Sequence, residues 1–250
     1  MHGLIAFLLT MFLTTTVVAT DIPITPYQAS YALYRGGINV AISELSLEQS
    51  GRYWRWRQIS KPKGVYALFS NNSLYSETTL LRLDDQYKIH NILVTDKESD
   101  DRYENARFSW DSKKVDIQYK NKRYLATLPD EVFDLHSIHL LTAHMLKQDL
   151  QKSEFYFYRR GKLAKSILKQ AGKSTLKINK KPIDVSIFEQ TIEGLNSKMR
   201  FYYDSDRPFL PIKIERTKAA VPQKPISRKE LIVEVMNGNQ VNAMKMESTL

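Results

Sequence analysis

Along most of the chain, apolar and polar residues alternate with a period of two, the spacing of strands that bury one face. Turn residues cut the alternation into short segments. Tyr27, Ala29, Tyr31 and Leu33 share a face over residues 27–34. Arg35-Gly36-Gly37 then predicts a tight hairpin turn, because paired glycines accept the positive φ such turns need. On the next strand Ile38, Val40 and Ile42 point one way, whereas Leu45 and Leu47 fall in the opposite phase. A bulge near Ser43-Glu44 would bring both sets to the core. Residues 52–59 put Trp54 and Trp56 on one face, with Tyr53, Arg55 and Arg57 on the other. Two tryptophans spaced by two could line a pocket, although large aromatic pairs more commonly fill a core.

Residues 61–64 read as a loop, and strands are expected at 74–83, 87–95, 107–110, 114–119 and 123–127. The acidic stretch 96–101 reads as a loop between two of them. Later strands are expected at 154–158, 183–190, 198–203 and 211–217. A Pro-rich loop covers 219–227, and a last hairpin pairs 228–236 with 242–247 about Asn237-Gly238.

One stretch breaks the alternation. In residues 134–151, DLHSIHLLTAHMLKQDLQ, the residues Leu135, Ile138, Met145 and Leu150 recur at helical spacing, with Leu141 or Leu146 between. Asp134 suits an N-cap. A lone helix among strands covers or plugs one face of a curved sheet. The expectation is therefore a mainly β fold: a curved antiparallel sheet or partly open β-barrel wrapped around one long helix. Neither a repeat nor an interdomain linker is visible, so residues 20–250 read as one domain.

The N-terminus sets the expected compartment. Leu4–Val18 is an uncharged apolar run, too short to span a bilayer comfortably, and Val17-Val18-Ala19 offers small residues for a signal peptidase. Residues 1–19 are thus expected to be a signal peptide cleaved near Ala19, giving a periplasmic or secreted protein with no transmembrane span in the mature chain. The chain has no cysteine, which excludes disulfides, thiol chemistry and a lipoprotein anchor. Its net charge of +10 favours anionic partners such as lipid, lipopolysaccharide or glycan. Export makes nucleic acid an improbable partner.

Candidate chemistry is sparse. Residues 159–181 hold nine basic side chains and no acidic one, and read as a hairpin turning at Ala171-Gly172-Lys173. Lys162, Lys165, Lys169, Lys173 and Lys177 could form a partner-binding basic ribbon, or simply protect an edge from aggregation. His136 and His139 lie three apart on the helix and are weak candidates to share a metal. His144 falls further round, and the plainer expectation is surface or lightly buried histidines. Asp204 and Asp206 are a fragment of a calcium loop without the rest of it. Asp84-Asp85 and Asp100-Asp101 sit in turn-like sequence and are expected to be solvated. There is no HExxH, GxSxG, P-loop or GxGxxG, and nothing calls for a cofactor.

Three segments carry a family resemblance: YALYRGGINVAISELSL near the start, LPDEVFDLHSIHLLTAHML in the middle and FYYDSDRPFLPIKIERTK late in the chain. In that order they resemble the exported bacterial family DUF3108. The resemblance implies an envelope-associated, mainly β protein and carries over no catalytic residue. Two function classes follow. One is a non-enzymatic envelope protein with a groove for an anionic or amphipathic ligand, Trp54 and Trp56 among its candidate contacts. The other is an assembly factor that contacts another envelope protein. A hydrolase of envelope polymers is a weaker third. An enclosed apolar cavity would favour the first, and a filled interior with a flat exposed edge the second.

Overall fold

The computed structural model describes residues 24–68, 72–83, 86–96, 99–178, 180–204, 207–218 and 231–235. The expected signal peptide, the loop at 219–227, the turn at 237–238 and the strand at 242–247 lie outside the described residues.

The fold is mainly β, as the alternation predicts. Its strands are β1 (Tyr27–Arg35), β2 (Ile38–Ser50), β3 (Tyr53–Pro62), β4 (Leu74–Leu83), β5 (Gln86–Asp96), β6 (Ser99–Ser109), β7 (Lys114–Tyr119) and β8 (Lys122–Thr127). They continue with β9 (Val132–Phe133), β10 (Lys152–Arg159), β11 (Lys162–Ile178), β12 (Lys181–Ile192), β13 (Ser197–Asp204), β14 (Pro211–Lys218) and β15 (Leu231–Val235). One helix, α1 (Ile138–Lys147), stands between β9 and β10. The described strands form one sheet, ordered β8-β7-β6-β5-β4-β3-β2-β1-β15-β14-β13-β12-β11-β10-β9. Neighbouring strands are mostly consecutive antiparallel pairs joined by short turns. The exceptions are β15, inserted between β1 and β14, and β9, which runs parallel to β10.

The sheet curls until parts distant in strand order meet. At the β10–β11 turn the Gly161 amide donates to Glu104 Oε1 on β6 at 2.7 Å, and the Tyr124 hydroxyl on β8 donates to the Gly161 carbonyl. Gly161 has φ +70°, and a Cβ there would stand 2.7 Å from Tyr119 Cβ, so the closure requires glycine.

Inside the curl lie two apolar clusters. One gathers Trp54, Trp56, Leu47, Tyr27 and Phe108; the other gathers Phe157, Phe188, Phe201, Tyr203 and the helix residues Ile138, Leu141 and Met145. Trp54 and Trp56 both point into the first cluster. Residues 138–145 of the helix are all buried, so the helix has no solvent face in its first two turns.

Four expectations need correction. First, the helix is ten residues long, not the long helix expected over 134–151. Asp134 precedes it: its Oδ1 accepts from the Ser137 amide at 2.8 Å and the Ser137 hydroxyl at 2.6 Å, fixing a turn that leads into the helix. The helix stops because Asp149 adopts φ 51°, while Leu150 N donates to Met145 O at 2.8 Å and Asp149 N to Leu146 O. That pair of bonds is a Schellman stop, which the apolar spacing alone does not reveal. Second, the β2 bulge lies around Val40, opposite Leu33–Tyr34, and not at Ser43-Glu44. Ser43 is buried in phase with Leu45 and Leu47, its hydroxyl 2.9 Å from that of Ser60.

Third, residues 159–181 do not turn at 171–173. β11 runs unbroken from Lys162 to Ile178, with a bulge at Ala171 and Gly172 at φ +110°. The glycine that suggested a turn serves the bulge instead. Fourth, part of the acidic stretch 96–101 is strand, since Asp96 ends β5 and Asp100 and Asp101 lie in β6.

Candidate functional site

A cavity of about 390 Å³ occupies one end of the curled sheet. Its walls are chiefly apolar side chains that alternation turns inward, among them Leu33, Leu45, Leu74, Ile92, Val94 and Ile192. Exposed Arg160, Leu135 and Leu195 also border it, so the cavity reaches the surface beside the β10–β11 turn and the β12–β13 connection.

A polar network lies in the wall near the helix. Thr78 Oγ1 donates to Asp134 Oδ2 and sits 2.9 Å from His136 Nδ1. His136 Nε2 is 3.1 Å from Gln58 Oε1, and Gln58 Nε2 donates to Ser43 Oγ at 2.7 Å. His139 Nδ1 lies 2.6 Å from the Tyr203 hydroxyl. Buried polar groups are costly unless bonded, and this network meets that cost along β2, β3, β4 and the turn before α1. Burial lowers the pKa of both imidazoles; the Asp134 carboxylate partly opposes this for His136, whereas His136 adds to it for His139, whose value falls to about 3. The His139 ring is therefore neutral at physiological pH.

The histidines expected at the surface or lightly buried are in fact buried: His136 in the turn before α1, His139 and His144 within its buried first two turns. His136 and His139 both pack on Trp56, at ring-centroid distances of 6.2 and 5.5 Å. Their bonded nitrogens face hydroxyl and amide groups, and among the described residues no cluster of three metal-binding side chains forms. Trp54 and Trp56 are core, and neither borders the cavity.

The five lysines do not border it either. The bulge at Ala171 reverses the phase of β11. Lys165 and Lys169 lie in the phase opposite to the inward Ser166 and Leu168. Lys173 and Lys177 pair with Ser186 and Pro182, in phase with inward Phe188. Lys162 pairs with Arg159 at the strand start. All five are exposed but they do not share one face. Lys169 lies 3.6 Å from Glu189, which also holds Lys198 at 2.9 Å and Arg200 at 3.2 Å.

Two further wall residues and Arg216 escape the sequence reading, and Arg159 and Arg160 enter it only as members of the basic stretch 159–181. The Tyr158 hydroxyl and Gln190 Oε1 are buried at the cavity wall without a hydrogen-bond partner. Burial and the nearby Glu104 carboxylate push the Tyr158 pKa up, although the two groups do not meet in hydrogen-bond geometry. Arg159, Arg160 and Arg216 border the same cavity. One signal was present for Arg159: it continues the inward phase of Phe155 and Phe157, where an apolar residue would be expected.

A family model described as protein of unknown function (DUF3108) matches residues 27–220. The chain belongs to this family. No curated protein matches it. Among solved structures it is similar to a β-barrel-like protein of the domain DUF1849 from Brucella abortus. The identity is 7%, 87% of this chain and 100% of that chain are covered, and the TM-score is 0.52. At that identity the similarity shows the fold of this DUF3108 chain and nothing of its function. A crystal structure of MucB in complex with MucA matches at 10% identity over 86% of this chain and 90% of that one, with a TM-score of 0.18. Among the described residues no helix is long and apolar enough to cross a membrane.

Proposed function

We propose that this protein is a non-enzymatic component of the bacterial cell envelope, periplasmic or secreted, that holds the apolar part of an amphipathic lipid or glycan ligand inside its curled sheet. The observation that carries this reading is the cavity of about 390 Å³ with inward apolar walls and an opening at the surface. Its size falls within the roughly 300–1,000 Å³ typical of small-molecule sites. A curled sheet with a filled interior would instead have favoured an assembly factor. The helix and sheet act together as the container, with the Thr78–Asp134–His136 network forming one polar part of a chiefly apolar wall. The apolar run at residues 4–18 supports export, and the net charge of +10 suits an anionic surrounding.

The test is native mass spectrometry of the mature protein purified gently from the envelope of its own host. A co-purifying amphiphile in one-to-one ratio is the expected result. Met199→Trp, which adds bulk at the cavity wall, should lose that ligand and keep its fold. A wild-type protein that carries no ligand and shows no saturable binding of acyl amphiphiles would overturn the reading.

A further inference from the structure

Three arginines border the cavity, and a single carboxylate, Glu104, lies near them. Arg159 is half-buried and follows Phe155 and Phe157 on the inward face of β10. Arg160, at φ 48°, occupies the turn beside it. Arg216 extends the inward phase of Ile214 on β14, opposite Met199, and donates to the Ser197 hydroxyl at 3.3 Å. Among the described residues no carboxylate forms an ion pair with any of the three. Glu104 also borders the cavity; its Oε1 accepts from the Gly161 amide, and its one negative charge is outnumbered by the three cations. The Arg159 guanidinium is lowered from its usual pKa by burial first, then by Arg216 and Arg160, whose charges oppose its own, and Glu104 offsets this only in part. Like charges gathered in a half-buried setting cost stability unless something offsets them. The buried Tyr158 hydroxyl, next in sequence to Arg159, also borders the cavity, close to the Glu104 carboxylate.

An oxyanion placed between the arginines would offset their mutual repulsion. Guanidinium forks suit carboxylate and phosphate because both present paired oxygens. Much of the remaining wall is apolar, Leu33, Val94 and Ile192 among it. The volume stands near the lower end of the usual range, which suits one acyl chain better than two.

We propose that Arg159, Arg160 and Arg216 form the head-group site of this cavity, and that its ligand is a single-chain amphiphile with a carboxylate or phosphate head. The assignment rests on the cavity-binding function proposed above.

The experiment is isothermal titration of the delipidated mature protein with four probes: laurate, lauroyl lysophosphatidate, monolauroylglycerol and inorganic phosphate. The two anionic amphiphiles should bind at least about tenfold more tightly than monolauroylglycerol, since hydrogen bonds between ionised partners are stronger than neutral ones. The stronger of the two identifies the head as carboxylate or phosphate. The double variant Arg159→Gln, Arg216→Gln should lose about tenfold for the anionic probes and keep its affinity for the neutral one, which also verifies its fold. Equal binding of neutral and anionic amphiphiles by the wild type would overturn the head-group site and leave the cavity function standing. Inorganic phosphate binding as tightly as the amphiphiles would overturn the amphiphile assignment. No binding of any amphiphile would overturn both. The wild-type comparison decides the matter even if the double variant fails to fold.

Discussion

Acid should unfold this protein through its buried histidines, and His139 allows the effect to be isolated. Its ring lies among Trp56, Phe201 and Tyr203, with centroids 5.5 to 5.8 Å away, and is only 3% exposed. Burial, reinforced by the neighbouring His136, lowers its pKa from 6.5 to about 3. In the unfolded chain the imidazole returns to about 6.5. Between the two values only the unfolded chain takes up the proton, so stability present above about pH 6.5 is lost as pH falls toward 3. At pH 5 the loss from this one group is about 2 kcal/mol, and it grows by about 1.4 kcal/mol for each further unit. His136, also lowered by burial, adds to the wild-type slope.

The variant is His139→Gln, which cannot titrate and keeps an amide for the Tyr203 hydroxyl. Urea unfolding from pH 7 to pH 5 would give the free energy at each pH by linear extrapolation. That window lies above the range where most carboxylates titrate, so the histidine contribution dominates the comparison. The wild type should lose about 2 kcal/mol more than the variant across it. The absolute stability of the variant does not matter, because the slope is what is read. Parallel pH profiles would refute the reasoning and mean that the ring is hydrated or charged in the folded state.

Other expectations follow from single contacts. Asp134→Ala removes a buried carboxylate that accepts from the Ser137 amide, the Ser137 hydroxyl and Thr78, and should cost about 3 kcal/mol in urea unfolding; a loss below about 1 kcal/mol would mean water replaces those bonds. Gly161→Ala places a Cβ at 2.7 Å from Tyr119 in a positive-φ turn and should lower stability by about 2 kcal/mol or more, whereas Gly36→Ala, with open space around it, should cost clearly less. Lys169→Glu puts a negative charge beside Glu189 on the sheet's outer face; it should be mildly destabilising, by about 1 kcal/mol or less, and the effect should shrink in high salt.

The alternation of residues and the placement of turns sufficed to predict a mainly β, antiparallel fold, because a strand's buried face and a hairpin's positive φ are local requirements. Gly36-Gly37 turns as expected, at φ 60° and 80°. The limits of α1 were not legible, since its Schellman stop depends on a backbone state of Asp149 that no apolar spacing reports. The bulges at Val40 and Ala171 were misplaced for a related reason. Register is settled by what the neighbouring strand presents, and one inserted residue reverses every side chain beyond it. That reversal divides the lysines of β11 between two faces, although their sequence suggests one ribbon. Burial of His136 and His139 likewise depends on tertiary packing, since the helix is polar in part by sequence.

The cavity itself belongs to the tertiary structure alone. Its lining comes from strands as far apart in the chain as β1 and β14, and the three arginines at its mouth come from β10, its turn and β14. Local physics along the chain determines strands, turns and the absence of disulfides. Only closure of the sheet decides which inward residues meet, how much space they leave, and which charges face one another across it.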